Sequence, residues 1–248
     1  MSVPVRVATL LVAFALVVAG AVFVVIHYLV SGPATVDYTS VASNGQVNVV
    51  MQEDPQNNSV STPNWVSYYV QDPQTKAWVH TTLFKVPAHT RVNMTILGYD
   101  GCTPLRNNFW SQIQGTIGGT VTVQQFGQKL NSQGVAVASS PTRAYGPPVT
   151  TSVINSWSSC NVAHTFAIPS MNVYVPVASP NANNSLNNLC AVSPCTSGPH
   201  AVETFSFMTR ASGIYRWQCL IPCGGGFIDG NGGPMQTIGY MTGNMVVS

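Results

Sequence analysis

The sequence predicts an all-β sandwich that follows one apolar N-terminal helix and carries long loop insertions. Short runs of β-branched and aromatic residues recur between Gly- and Pro-rich turns along most of the chain, which is typical of strands. No amphipathic helical periodicity competes with this pattern, so a parallel sheet covered by helices is not indicated. The one long apolar run lies at the N-terminus, and we expect it to form the helix.

The apolar run Val7–Leu29 is long enough, as a helix, to cross a hydrocarbon core of about 30 Å. A cleaved signal peptide is the competing interpretation, but its apolar region normally covers about 7–15 residues and ends at a small-residue cleavage site. Arg6 is the only charged side chain before the run, so the positive-inside rule predicts a cytoplasmic N-terminus. We therefore expect a single-pass protein of the cytoplasmic membrane, with residues 1–31 as the anchor and the C-terminal domain on the outer face.

Residues 32–64 are predicted to be a linker, and residues 65–248 to form the ectodomain. The linker is rich in Gly, Asn, Pro and Ser, and only Val47–Met51 within it is strand-like. Two irregular stretches of the domain, 124–159 and 178–199, are predicted to be long loop insertions that face a partner or only decorate the surface. The segments predicted as strands are Trp65–Val70, Ala77–Val86, Arg91–Leu97, Thr116–Val123, Gly134–Ala138, Ala163–Ile168, Asn172–Val177, Val202–Met208, Ile214–Cys219 and Thr237–Val247.

The composition excludes several classes of function. Charged residues make up 6% of the chain against about 25% in ordinary soluble domains, and the net charge of +2 provides no basic face for nucleic acid. A surface with so little charge would suit an acidic medium, in which carboxylates protonate, although composition alone does not establish one. The sequence motifs of common hydrolases and of covalent haem attachment are absent, so we expect at most an electron-transfer subunit and not a hydrolase.

The six cysteines of this exported domain are predicted to fall into three pairs by their proximity along the chain. The pairs are Cys102 with Cys160, Cys190 with Cys195, and Cys219 with Cys223. The last pair differs from the others because its two cysteines, with three residues between them, stand where a late strand runs into a Gly-rich loop. Two sulfurs so placed can share a soft metal ion or form a disulfide.

The sequence also offers the other ligand types that copper prefers, an imidazole and a thioether. His164 lies on a predicted strand whose alternation places it on the same face as Phe166 and Ile168, which we take to be the inward face. Met241 lies on the last predicted strand. The sequence therefore predicts a copper site made of four residues, which are His164, Cys219, Cys223 and Met241.

At these residues the chain resembles cytochrome c oxidase subunit II, a family with a cupredoxin-like Greek-key sandwich. In that family a His-Ser/Thr-aromatic strand that ends in Pro supplies the first histidine, and His164–Pro169 matches it. A later segment of the family reads Cys, three residues, Cys, three residues, His and then Met, and it binds a dinuclear copper centre that accepts electrons from cytochrome c. The resemblance implies that Cys219 and Cys223 are the bridging thiolates, that Ile221 supplies a backbone carbonyl, and that Met241 is the thioether.

The second histidine of the family is missing from this chain. Phe227 stands at its position, and no histidine follows Cys223. A dinuclear centre needs one nitrogen ligand for each copper, so the complete centre is not expected. Asp229 or Met235 would be the substitute ligands. A single copper held by His164, one cysteine and Met241 also remains open.

Three functions are consistent with these residues. The first is copper-binding electron transfer within a respiratory membrane complex, with integral membrane subunits and an external electron donor as partners. The second is a metal-free structural subunit with a Cys219–Cys223 disulfide, similar to subunit II of quinol oxidases, which keeps the sandwich without the copper. The third is capture or delivery of Cu(I) by the two cysteines together with Met235, Met241 and Met245.

Overall fold

The computed structural model describes residues 3–26, 32–55, 65–103, 105, 107–126, 128–130, 136–138, 150–157, 161–180, 193–195, 200–223 and 233–248. The chain divides into two compact units, Met1–Pro33 and Ala34–Ser248. The first unit contains helix α1 (Val3–Val24). The second unit contains the strands and the candidate site.

Helix α1 is apolar throughout and carries a single charged residue, Arg6. Its segment Pro4–Val24 spans 21 residues with a mean hydropathy of 2.8, which is long and apolar enough to cross a membrane. A secretory signal sequence near an N-terminus meets the same criteria. The predicted continuation of the helix to Leu29 falls on residues outside the described part of the chain.

The second unit is a sandwich of two β-sheets, and a short hairpin formed by β8 and β9 stands apart from both. The six-stranded sheet has the order β1-β5-β15-β14-β11-β12, and the seven-stranded sheet has the order β10-β7-β13-β6-β2-β3-β4. The strands are β1 (Thr35–Asp37), β2 (Gln46–Asp54), β3 (Ser67–Gln71), β4 (Trp78–His80), β5 (Leu83–Val86), β6 (Arg91–Gly98), β7 (Val121–Phe126), β8 (Gln128–Leu130), β9 (Ala136–Ala138), β10 (Thr150–Ile154), β11 (Val162–Ile168), β12 (Val173–Ala178), β13 (His200–Met208), β14 (Gly213–Gln218) and β15 (Thr242–Val247). The all-β prediction is confirmed.

Strand pairing is mostly antiparallel, with parallel pairs where the chain crosses between layers. Strand β5 runs parallel to both β1 and β15, and β2 runs parallel to β6. Consecutive strands change sheet repeatedly, for example from β4 to β5 and from β5 to β6. This mixed connectivity brings residues that are distant in sequence to the same end of the sandwich.

The core between the sheets is formed by the inward side chains of both layers. Strand β6 alternates buried and less buried positions, as a strand with one face on the core must. Strand β11 is buried along its whole length. The ring of Phe166 on β11 packs against Phe207 from the other sheet and against Trp217 from its own, with centroids 6.4 and 5.1 Å apart. The candidate site therefore lies on a strand that is closed to water on both faces.

One predicted strand, Ala77–Val86, is two strands in the structure, β4 and β5. The chain leaves the seven-stranded sheet and joins the six-stranded sheet at Thr81 and Thr82. The Thr82 carbonyl accepts hydrogen bonds from the Trp217 indole and from the Asn244 N–H, at 3.0 and 3.2 Å. A Cβ at Gly243 would overlap that carbonyl oxygen, so the glycine permits the close approach.

The predicted linker at residues 32–64 needs correction, because its described part belongs to the folded unit. Strand β1 pairs with β5, and β2 pairs with β6 along eight residues from Gln46↔Arg91 to Glu53↔Gly98. The alternation of Val47, Val49 and Met51 is the inward face of a sheet strand, and Asn44 and Gly45 form the turn before it. Residues 56–64 lie outside the described part.

The first predicted loop insertion, 124–159, also contains regular structure. Strand β7 starts at Val121 and continues to Phe126, and β10 pairs with it antiparallel from Thr150↔Gln125 to Ile154↔Val121. The outer strand β10 is exposed, with Val153 67% accessible, so its sequence lacks the apolar face that marks a strand. Most of the second predicted insertion, 178–199, lies outside the described residues.

Candidate metal centre

Two neighbouring strands of the six-stranded sheet bring the predicted metal ligands together. His164 lies on β11, and Cys219 directly follows β14, which pairs with β11 at Ala167↔Gln218. Cys223 lies four positions later in the loop that leaves β14. The sheet thus brings His164 close to two cysteines that lie more than fifty positions later in the sequence.

The imidazole and the two sulfurs form a compact cluster. The Nδ1 atom of His164 lies 2.8 Å from Cys223 Sγ and 3.9 Å from Cys219 Sγ, and the two sulfurs are 3.3 Å apart. The exposed fractions of His164, Cys219 and Cys223 are 1%, 2% and 4%. Three soft donor atoms within 4.8 Å of one another, closed to water, form a group that can hold a metal ion.

Cys219 and Cys223 are free thiols. Their sulfur atoms lie 3.3 Å apart, whereas a disulfide bond is about 2.05 Å long. The predicted Cys219–Cys223 disulfide is therefore not formed in this structure, and both sulfurs are available as ligands.

Backbone and hydroxyl groups fix the cysteine loop. The Ile221 carbonyl oxygen lies 2.9 Å from Cys223 Sγ and 3.5 Å from Cys219 Sγ, where it accepts from the thiols. Thr165, beside His164, donates its N–H to Cys219 Sγ at 3.4 Å and accepts the Leu220 N–H at 2.6 Å. The carbonyl that the sequence assigned to the site thus lies against both sulfurs, and Thr165 is a contact that the sequence did not reveal.

Two methionines are relevant to the predicted thioether position. The Met235 sulfur accepts the Cys223 N–H at 3.3 Å, so this thioether lies against the cysteine loop. Met241 is fully buried among the core residues, and its carbonyl accepts the Cys219 N–H at 2.8 Å. Met241 therefore holds the loop through its backbone, and its thioether as a ligand stays a prediction. Met235, which the sequence suggested as a replacement for the missing histidine, has its sulfur at the site.

Two carboxylates that the sequence did not reveal lie on the opposite side of the His164 ring. The Nε2 atom of His164 is 3.0 Å from Asp100 Oδ2 and 2.9 Å from Glu53 Oε1. Glu53 is fully buried at the end of β2, and Asp100 follows β6. The chain has only seven acidic residues, so an acid at the end of an apolar strand was the available signal. Assigning residues 32–64 to a linker hid it.

Contacts within the cluster shift the pKa values of its titratable side chains. Burial opposes ionisation of the Cys219 thiol, but hydrogen bonds with Cys223 and His164 outweigh burial and hold its pKa well below the usual value. Burial and the Cys219 sulfur raise the pKa of Cys223. Burial favours a neutral His164, yet Cys223, Glu53 and Asp100 raise the pKa of the ring well above its usual value. These contacts favour a Cys219 thiolate, which is the form that binds metals.

The other predicted site residues and disulfides are only partly described. Phe227 and Asp229 lie outside the described residues. Cys195 is disulfide-bonded, and its predicted partner Cys190 lies outside the described residues, so that pairing stays a prediction. The predicted bond from Cys102 to Cys160 stays a prediction for the same reason, because residue 160 is not described.

No protein-family model matches the chain, and no curated protein matches it. Solved structures of rusticyanin align over most of the chain. The reduced form has a TM-score of 0.27 and 15% identity, covering 86% of this chain and 84% of rusticyanin. Rusticyanin from Thiobacillus ferrooxidans has a TM-score of 0.30 and 15% identity, covering 88% and 84%. A multicopper oxidase has a TM-score of 0.29 and 10% identity, covering 84% of this chain and 45% of the oxidase.

The architecture is established by the chain's own strand pairing, two sheets with repeated crossings between them. This confirms the predicted all-β sandwich. The cupredoxin type and the finer resemblance to cytochrome c oxidase subunit II stay predictions from the sequence.

Proposed function

We propose that this protein is a membrane-anchored cupredoxin that binds copper and transfers electrons. The observation that carries the proposal is the convergence of the His164 Nδ1 atom with the sulfurs of Cys219 and Cys223 in a buried cluster. Thiolate and imidazole are the ligand types that favour copper in electron-transfer sites.

The residues present fit a copper ion by the chemistry of their donor atoms. His164, Cys219 and Cys223 would hold the metal. The Ile221 carbonyl lies against the Cys223 sulfur, and the Met235 thioether lies against the Cys223 N–H. Bound copper would supply one-electron chemistry by alternating between Cu(I) and Cu(II). The two thiols are free and the Cys219 pKa is already lowered, whereas Cys223 and His164 would each release a proton when a metal binds.

The protein's own contribution is a rigid and dry set of ligands. Thr165 fixes the Cys219 sulfur and the Leu220 N–H, and the Met241 carbonyl fixes the Cys219 N–H. The three main ligands are each at most 4% exposed. Ligands that are held from several sides change position little when the metal changes charge, which favours fast electron transfer.

The burial of the donor atoms also favours electron transfer over the two alternative functions. Capture and delivery of Cu(I) require an accessible metal that can pass to another protein, and the donors here are closed to water. A metal-free structural subunit would keep an imidazole, two thiols and the Glu53 carboxylate buried together at a considerable cost in free energy. Electron transfer gives this buried polar cluster a function.

The proposed setting is a respiratory membrane complex. Helix α1 would be the anchor, with Arg6 and the N-terminus in the cytoplasm and the sandwich on the outer face. Integral membrane subunits and an external electron donor would be the partners. The support for this setting is the apolar helix and the sequence resemblance to oxidase subunit II.

Metal analysis and visible absorption of the full-length protein, purified in detergent and loaded with copper, test the proposal. We expect bound copper with a strong sulfur-to-copper charge-transfer band, and we expect Cys219→Ser to abolish the band. Cys102→Ser, which changes a buried cysteine outside the cluster, is the matched control and should keep it. Colourless bound Cu(I) would support delivery instead, and a metal-free protein with a Cys219–Cys223 disulfide would support the structural role.

A further inference from the structure

The second ring nitrogen of His164 faces away from the sulfurs and toward two carboxylates. Its Nε2 atom lies 3.0 Å from Asp100 Oδ2 and 2.9 Å from Glu53 Oε1. Only the contact with Asp100 has the geometry of a hydrogen bond, and Glu53 Oε1 is a buried oxygen without one. The Glu53 side chain is 0% exposed and that of Asp100 is 30% exposed.

The seven-stranded sheet supplies both carboxylates to a histidine of the six-stranded sheet. Glu53 pairs with Gly98 at the end of the parallel strands β2 and β6, and the chain then turns so that Asp100 faces the same ring. A Cβ at Gly98 would lie 2.6 Å from the Ala178 carbonyl oxygen of the other sheet. The glycine thus lets the two sheets approach each other at this end.

The two acids are also linked through hydrogen bonds from the backbone of residues 99 and 100 to Glu53. The Asp100 N–H donates to Glu53 Oε2 at 3.3 Å, and the Tyr99 N–H donates to the Glu53 carbonyl at 3.2 Å. Glu53 and Asp100 therefore form one unit against the imidazole. Their positions cannot change independently.

A carboxylate accepts hydrogen bonds and cannot donate them, so it selects the tautomer of the ring that it contacts. With its proton on Nε2, the neutral His164 ring presents the lone pair of Nδ1 to the sulfur cluster. We propose that Asp100 and Glu53 are positioning residues of the metal site, which fix the orientation and tautomer of His164. This inference rests on the proposed function and assigns two further residues to it.

The test compares Glu53→Gln and Asp100→Asn with Glu203→Gln in the full-length copper-loaded protein. Glu203 is an equally buried acid of the same sheet, and it bonds to the Ala178 N–H at 2.8 Å rather than to His164. We expect each variant of the pair to weaken copper binding about 10–100-fold, the usual cost of losing a hydrogen-bond partner of a metal ligand. The Glu203 variant should stay within about twofold of the unmodified protein, because its side chain does not touch a ligand. Competition with a copper chelator measures the affinity.

The midpoint potential is a second measurement, because it responds to the position of the His164 ring at the metal. Glu53→Gln and Asp100→Asn should shift it, whereas Glu203→Gln should leave it unchanged. Glu53→Asp keeps the carboxyl group at a shorter reach, so it should also lose affinity. Thermal unfolding of the metal-free variants checks that each one folds.

Three outcomes decide the inference. Weaker binding and a shifted potential in both variants, with an unchanged Glu203 control, support it. Affinities and potentials equal to those of the control overturn the assignment of Glu53 and Asp100 while leaving copper binding intact. An unmodified protein that takes up no copper overturns the proposed function and this inference with it.

Discussion

Two histidines of the sandwich are almost equally buried, yet their surroundings differ completely. His164 is 1% exposed and His200 is 2% exposed. His164 contacts two thiols on one side and two carboxylates on the other. His200 stacks between the rings of Tyr99 and Phe126, with both centroids 5.0 Å away. A buried histidine therefore marks a candidate site only through its neighbours, and the same residue type can fill an aromatic stack.

The largest expected effect comes from replacing each of these histidines. His164→Gln removes a proposed ligand and should reduce copper affinity by more than the 10–100-fold expected for an outer hydrogen-bond partner. His200→Gln should leave copper affinity unchanged and lower the free energy of unfolding by about 1 kcal/mol through the lost aromatic stacking. Copper titration and denaturant unfolding of both variants measure the two effects. Equal copper affinities in the two variants would remove the distinction between the histidines.

Two buried glutamates, like the two histidines, differ in the groups that they contact. Glu53 contacts His164, whereas Glu203 accepts the Ala178 N–H, and burial raises the pKa of Glu203 to about 8. Burial also raises the pKa of Asp54 to about 8. The unfolded chain ionises these groups near their ordinary values, about 4.5 and 3.8. Between those values and pH 8 the unfolded state loses protons that the folded state keeps, so stability falls as the pH rises through this range.

We therefore expect the metal-free protein to be more stable at pH 4 than at pH 8, by several kcal/mol. Glu203→Gln should remove a large part of this dependence, raising the unfolding temperature at pH 8 and changing it little at pH 4. Thermal unfolding across this pH range tests the expectation. A Glu203→Gln curve parallel to that of the unmodified protein would show that this carboxylate does not control the pH response.

The smallest expected effect separates the two methionines. Met235 has its sulfur against the cysteine loop, and Met241 contributes its carbonyl. Met235→Leu should shift the charge-transfer band and the potential without loss of copper. Met241→Leu should leave the band in place and cost less than about 1.5 kcal/mol of stability, as volume-conserving core changes do. The reverse pattern would restore Met241 as the thioether ligand that the sequence suggested.

The fold was predictable to the extent that its strands have one apolar face. Strands β6 and β11 were found within one residue of their ends because their patterns are strong and bounded by turns. Strand β10 was missed because it is an exposed edge, and β1 because three residues carry no pattern. The break between β4 and β5 depends on Thr82 and its contacts with distant strands, which a local pattern cannot contain.

The candidate site was predictable where its residues share a motif and not where they only share space. Cys219, Cys223 and Ile221 form one short loop, and the strand pattern placed His164 inward beside it. Glu53 and Asp100 reach the site through the pairing of β2 with β6, across the gap between the two sheets. That pairing is a property of the whole fold, and no spacing along the chain encodes it.

X-ray absorption at the copper edge of the loaded full-length protein tests the central claim most directly. We predict sulfur and imidazole scatterers together in the coordination shell of the copper, with the sulfur contribution reduced in Cys223→Ser and the imidazole contribution lost in His164→Gln. Copper surrounded only by oxygen and nitrogen, with both variants identical to the unmodified protein, would contradict the account.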